Sequence, residues 1–478
     1  MKAFYLTLML CIAMIPACGF AQTAVPTFQF IPTNACQRCH EEAATRDAEI
    51  GITDRVRLRE WQIWQEHDKH ASAYQVLTEP RSKRIGELLG KDVLAKETGC
   101  IQCHVSNAID ESWSPDCFRN GENLFDEEGV SCQACHGPAS RWEDEHDKTA
   151  WQSLKPEEKA KYGFNSLEDP VRRASMCTSC HIGNAELGRV ITHEMYAAGH
   201  PLLSGFDMEA FADKMPRHWE YKNEKKPDQP FQFERTRGVL VGSVVALQTA
   251  VELANDSRTH WPELARLECY SCHHELQTPS WRQENHAERF AGRPKLDLGC
   301  LPLVRVATEL GTGNAAAFDA LIERSREPFA NNLFGDPLKI AELRTAVDAW
   351  STEVAQNLAT MTLDQTKVRE IFILLLDVAA EGTHDFDTAR QLTGAIYVVG
   401  DELKRSGAQV PGLDNLLTRL KTLQDDERGF ALVATDDKRV EDKFHLQLAN
   451  RARFKPAVYA QLLKSLQDGM KEETADKR

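Results

Sequence analysis

Apolar residues beyond position 300 recur every three or four residues, which is the period of an amphipathic helix. Thr362 and Gln365 form a capping-box pattern before the first such stripe, and Gly382 supplies a stop after it. The pattern predicts an antiparallel helical bundle with four stripes in its core. The stripes are Val368, Ile371, Phe372, Leu375 and Val378; Leu392, Ile396, Val399 and Leu403; Leu413, Leu416, Leu417 and Leu420; and Val458, Leu462 and Leu466.

Residues 22–298 carry helix and loop signals instead of the alternation typical of strands. A helix is predicted over residues 61–74, with His67 beside two tryptophans on one face and His70 a turn further along. The most apolar internal run, residues 239–254, is shorter than a membrane span and includes polar side chains, so we predict a buried helix. The predicted fold class is mainly α, with little regular sheet before the helical bundle.

The chain begins like a secretory signal peptide. Lys2 precedes an apolar run over residues 3–17, and small residues lead to Ala21, after which we expect cleavage. A retained membrane helix is the alternative, but the run is short for one. We therefore expect a periplasmic or otherwise exported protein without a stable membrane span.

Composition and net charge narrow down the class of protein and the kind of partner it binds. The 478 residues are 42% hydrophobic and 27% charged, which is typical of a soluble globular protein with two or three domains. The formal net charge is −15. An acidic chain argues against nucleic-acid binding, which needs clustered Lys and Arg, and suits a basic protein partner.

Ten of the 14 cysteines form five copies of the motif C-x-x-C-H. Chance would supply roughly 0.014 such strings at these frequencies of Cys and His. The two thiols of each motif can add to the vinyl groups of haem, and the adjacent imidazole can then ligate the iron. The motif cysteines are Cys36 and Cys39, Cys100 and Cys103, Cys132 and Cys135, Cys177 and Cys180, and Cys269 and Cys272; the histidines are His40, His104, His136, His181 and His273.

These motifs predict five covalently attached haem c groups, with the motif histidines as proximal iron ligands. Structural zinc does not require a histidine after each C-x-x-C pair. A disulfide framework is expected of small secreted domains, whereas this chain is long. Cys11 and Cys18 leave with the signal peptide, so only Cys117 and Cys300 remain outside the motifs, and they could form one disulfide in an oxidising compartment.

A sixth ligand on the other face of each iron would give low-spin haems suited to electron transfer. Methionine is a competing ligand, represented by Met176, Met195, Met208 and Met215, but a buried methionine is more often core packing. Spare histidines favour ligation by two histidines; those before residue 300 are His67, His70, His146, His193, His200, His218, His260, His274 and His286. We expect His384 and His445, further along, to be surface residues.

Three stretches around the first four motifs resemble the cytochrome c-554 family, tetrahaem cytochromes that carry electrons away from hydroxylamine oxidoreductase. The stretches are WQEHDKHASAYQVL at residues 64–77, GVSCQACHGPASRWEDEH at residues 129–146, and HEMY at residues 193–196. The resemblance covers residues 30–200 and includes neither the fifth motif nor the helical region beyond it.

The resemblance implies that His70, His146 and His193 are distal ligands. It also implies that the iron above His104 is five-coordinate and open. The fifth haem then takes its ligand from the remaining histidines, one of which could also close the second site; these are His200, His218, His260, His274 and His286.

Three segments are therefore expected: a signal peptide at 1–21, a pentahaem cytochrome domain at 22–298 and a haem-free helical domain at 299–478. The expected function is electron transfer between redox partners through closely packed haems. A reductase or oxidase of a small nitrogen species at a five-coordinate haem is the alternative, and a structural subunit of a respiratory complex is a third. No catalytic residue stands out, and the oligomeric state stays open.

Overall fold

A computed structural model describes most of the chain. The described residues are 28–41, 59–95, 98–106, 118–119, 122–123, 128–203, 205–225, 228–256, 261–273, 293–382, 384–425, 451 and 454–475. Outside them lie the predicted signal peptide at 1–21, the cysteine Cys117 and the histidines His260, His274, His286 and His445.

The fold is mainly helical, as predicted. Its only strands in the described part of the chain are Phe118–Arg119 and Glu122–Asn123, which pair antiparallel. Before residue 300 the α-helices are α1 (Asn34–His40), α2 (Glu60–His67), α3 (Ala73–Thr78), α4 (Pro80–Leu89), α5 (Ile101–His104), α6 (Cys132–His136), α7 (Thr149–Gln152), α8 (Pro156–Lys159), α9 (Pro170–His181), α10 (His193–Ala197), α11 (Met208–Ala212), α12 (Lys222–Lys225) and α13 (Glu234–Ala254). Beyond it lie α14 (Leu301–Thr312), α15 (Ala315–Arg326), α16 (Pro337–Thr360), α17 (Gln365–Glu381), α18 (Phe386–Arg405), α19 (Leu413–Asp425) and α20 (Pro456–Ala475).

Helix α13 is the central element of the bundle. It packs against α14, α16 and α18 on the bundle side and against α9 on the other. Its apolar side chains join one continuous core that extends from Ala174 of α9 to Leu466 of α20. The long helices therefore support α9, which carries the fourth C-x-x-C-H motif at its C-terminal end.

The same helix is long and apolar enough to cross a membrane. It has 21 residues, and 61% of its most apolar window is buried inside the protein. Burial in a core accounts for this apolar sequence without a bilayer. No other helix among the described residues passes the same test.

Three of the four predicted apolar stripes lie in the core. Of the last one, Leu466 is buried as predicted and Leu462 is half-buried, but the inward-facing positions before Leu466 are shifted by one residue. Val458 is 43% exposed, whereas Tyr459, Leu463 and Leu466 are buried. The hydroxyl of Tyr459 lies 3.1 Å from the backbone oxygen of Ala389 in α18, which turns this side of α20 inward. Hydrogen bonding of the buried phenol thus selects the face.

Two predicted helix boundaries were wrong. The helix expected over residues 61–74 ends at His67, because Asp68 is extended and its carboxylate accepts a hydrogen bond from the backbone N–H of His70. Helix α17 begins at Gln365, so Thr362 is not its N-cap. The N-cap is Asp364, whose carboxylate accepts from the backbone N–H of Lys367 at 2.8 Å.

Replacing Asp364 by alanine should lower the free energy of unfolding by about 1 kcal/mol, because the first turn of α17 loses its side-chain acceptor. Asp364→Asn keeps an acceptor and should stay within a few tenths of a kcal/mol of the wild type, on the order expected for good N-caps. Urea unfolding followed by far-UV circular dichroism measures both. Equal losses for the two variants would show that the cap does not matter.

Candidate haem sites

Four of the five motifs place their histidine at the C-terminal end of a short helix. The helices α1, α5, α6 and α9 end at His40, His104, His136 and His181. The fifth motif lies on a 3-10 turn, Cys269–Ser271. One turn of helix brings both thiols and the imidazole of a motif to the same side of the backbone.

Four of the five motif histidines face a second histidine at a nearly constant distance. The ring centres are 6.1 Å apart for His40 and His146, and 6.2 Å apart for His181 and His70. They are 6.5 Å apart for His136 and His218. For His273 and His193 the distance is 6.2 Å.

This spacing fits one metal ion between two imidazoles. A metal–nitrogen bond is about 2.0 Å and a ring centre lies about 1.1 Å behind its nitrogen, so two imidazoles on opposite sides of one metal ion have centres roughly 6.2 Å apart. The two cysteines beside each motif histidine supply the donor set for thioether attachment of haem. The residues present therefore fit haem c at these four places.

Hydrogen bonds at Nδ1 orient several of these rings. Nδ1 of His70 lies 2.9 Å from a carboxylate oxygen of Asp68, and Nδ1 of His40 lies 2.9 Å from Glu60. Nδ1 of His146 is 2.5 Å from the backbone oxygen of Glu143. A proton held at Nδ1 leaves the lone pair of Nε2 free for a metal.

Burial keeps other rings in their neutral form. It lowers the pKa of His136 and of His181 to about 4, with smaller contributions from neighbouring histidines. The aromatic ring of Phe206 packs on His181 at 4.6 Å between ring centres. Because only a neutral imidazole can donate its lone pair, these apolar surroundings suit metal ligands.

Contacts between thiols show which motifs are neighbours. The thiols of Cys36 and Cys132, in the first and third motifs, lie close enough that Cys132 lowers the pKa of Cys36. The thiols of Cys103 and Cys180, in the second and fourth motifs, lie close enough that Cys180 raises the pKa of Cys103. Burial raises the pKa of the half-buried Cys135, in the third motif, to about 12, and Cys177 and Cys180 of the fourth motif are close enough to contribute. The first four motifs therefore lie in the order one, three, four, two.

His104, the histidine of the second motif, is the exception among the five. Its Nδ1 lies 2.7 Å from the backbone oxygen of Ala73. Within the described residues no histidine ring centre lies as near to it as in the four pairs. His200 is in its neighbourhood, because the charge of His104 contributes to the lowered pKa of His200.

Sequence reasoning named three of the four partner histidines. The structure brings His70, His146 and His193 each opposite a motif histidine. His218 was only one of the spare histidines, and no spacing in the sequence connects it with His136. His384 was expected on the surface but is buried, with Nε2 2.9 Å from the backbone oxygen of Val378.

Residues 35–137 match the model of a family described as Cytochrome c554 and c-prime. This match supports a multihaem c-type cytochrome. The match includes the first three motifs and ends at the residue after His136, so it covers less of the cytochrome than the predicted resemblance. It supports haem c as the cofactor, a role in electron transfer and a redox protein as partner. No curated protein and no solved structure matches the chain.

Proposed function

We propose that this protein is an exported pentahaem cytochrome that passes electrons between redox partners through five closely spaced sites. The observation that carries the proposal is the set of four histidine pairs with ring centres 6.1–6.5 Å apart. Haem with two histidine ligands supplies reversible one-electron chemistry at low potential. Occupied axial positions at these four sites leave no vacancy for a substrate there, which favours a carrier over a catalyst.

Each of the four paired sites would be held by residues of one motif and one distant histidine. The motif cysteines would attach the cofactor, and the motif histidine would supply one ligand to its iron. His146 serves the first site, His218 the third, His70 the fourth and His193 the fifth. Distal ligands from other parts of the chain tie the loops between motifs together, so attachment of the cofactor and folding support each other.

Thiol exposure suggests where partners exchange electrons. Among the motif cysteines, Cys39 of the first site and Cys272 of the fifth are exposed, and the other eight are more buried. The first site also ends the row one, three, four, two. A redox partner would therefore approach near Cys39 or near Cys272, and an acidic chain with net charge −15 suits a basic one.

Domain division and location follow from the same sequence signals. The proposal places the five sites within residues 22–298 and gives the helical domain at 299–478 a supporting role without haem. Export after removal of residues 1–21 agrees with the chemistry, since haem c attachment takes place outside the cytoplasm.

The number of haems tests the proposal. The purified protein should carry five covalent haems per chain, measured by intact mass and by the haem-to-protein ratio. The double variant Cys269→Ala/Cys272→Ala should carry four. Four haems in both proteins would show that the fifth motif does not bind haem and would contradict the proposed pentahaem state.

A further inference from the structure

We propose that His200 is the sixth ligand of the second site, opposite His104. The segment from His193 to His200 then serves two neighbouring sites, the fifth and the second. This assignment rests on the proposed function, because it requires haem at both places. The family resemblance implies that the iron above His104 is open, and His200 would close it. The five sites would then form one unbranched row in the order one, three, four, two, five.

The first step is the position of His200 in the chain. Helix α10 begins with His193, and the backbone N–H of His200 donates to the oxygen of Met195 at 3.0 Å just after that helix ends. The ring of His200 contacts the ring of Tyr196, with centres 6.3 Å apart. One short helix and its C-terminal turn thus carry His193 to the fifth motif and His200 away from it.

The second step is that His104 and the segment before His200 are bonded to two neighbouring helices, α3 and α4. His104 bonds through Nδ1 to the backbone oxygen of Ala73, the first residue of α3. On the neighbouring α4, the guanidinium of Arg81 donates to the backbone oxygen of Gly199 at 2.6 Å. Helices α3 and α4 also pack on each other, so both histidines lie beside one small unit.

The third step is the orientation of the His200 ring. Its Nδ1 lies 2.8 Å from the backbone oxygen of Pro201, so a proton at Nδ1 leaves Nε2 as the free nitrogen. His384 in the bundle has the opposite arrangement: its Nε2 is hydrogen-bonded to a backbone oxygen, so this nitrogen is not available to a metal.

The fourth step is the backbone conformation just before His200. His200 lies outside α10 and follows Gly199, whose φ of +112° is a conformation that favours glycine. The direction of the His200 side chain is therefore set by this turn and not by the helix. The assignment requires the rings of His104 and His200 to reach the spacing of the other pairs when the cofactor is attached.

Electron paramagnetic resonance of the oxidised holoprotein tests the assignment. The wild type should show only low-spin iron and should not bind added cyanide. His200→Ala should convert one iron in five to a high-spin form that binds cyanide, and added imidazole should restore the low-spin signal. His67→Ala is the matched control, since His67 is an exposed histidine of the same part of the chain and should leave the spectrum unchanged.

A high-spin signal in the wild type would overturn the assignment, as would an unchanged spectrum of His200→Ala with five haems attached. The haem count of each sample keeps the two proposals apart, because a wild type with fewer than five haems contradicts the proposed function instead. If His200→Ala does not accumulate, His200→Met is measured. Methionine is also an axial ligand and raises the potential, so one midpoint potential of five should rise. Five unchanged potentials would overturn the assignment.

Discussion

Replacing His218 by alanine should convert one iron in five from low-spin to high-spin. The ring centre of His218 lies 6.5 Å from that of His136, the spacing of two imidazoles on one iron. Neither residue belongs to another of the four histidine pairs among the described residues. The irons of the other three paired sites should therefore stay low-spin. Electron paramagnetic resonance of the oxidised protein measures the fraction of high-spin iron.

Combining these substitutions with a variant that lacks the fifth haem shows which iron each histidine serves. In the variant Cys269→Ala/Cys272→Ala the fifth haem is absent, so adding His193→Ala should create no new high-spin iron. Adding His218→Ala to the same background should still create one. The reverse result would mean that His193 serves the third site and His218 the fifth, which would contradict the pairs seen in the structure.

Removing the guanidinium of Arg235 should destabilise the protein by about 3 kcal/mol, because two carboxylates lose a buried partner. Arg235 is 3% exposed and pairs with Asp213, which follows α11, and with Asp401 of α18 at 2.5 Å. These carboxylates raise its pKa despite its burial. Both keep some contact with water, which places the loss at the lower end of the range for buried pairs. Urea unfolding of Arg235→Met measures the change.

An exposed ion pair supplies the matched control. Arg305 pairs with Asp319 at 2.9 Å, and both side chains are at least half exposed. Arg305→Met should therefore cost less than about 1 kcal/mol. Similar losses for the two variants would show that the Arg235 cluster does not fasten α13 to α11 and α18.

Much of the bundle could be predicted from the period of its apolar residues. The stripes of α17, α18 and α19 are buried, because each helix packs one face against the core and its apolar residues repeat on that face. The α20 face was misplaced because Tyr459 adds a polar group whose partners lie on another helix. The end of α2 was misplaced because Asp68 forms a local hydrogen bond that competes with the helix, which periodicity does not record.

The candidate sites also contain residues that could be predicted from the sequence and residues that could not. Motif cysteines and histidines are adjacent in the sequence, so their chemistry could be predicted from spacing. The partner histidines lie far away along the chain, and a resemblance was needed to select His70, His146 and His193. His218 lies 82 positions after His136, as the numbering shows. Only the folded chain brings them together.

A reductive titration tests the central claim most directly. The account predicts that the fully oxidised protein accepts five electrons per chain, one at each site, and returns all five to an added oxidant. The visible spectrum should follow the electrons added at every step. Uptake of fewer than five electrons would contradict five functional sites. Catalytic turnover of nitrite or hydroxylamine by the reduced or oxidised protein would contradict a carrier whose irons are all closed.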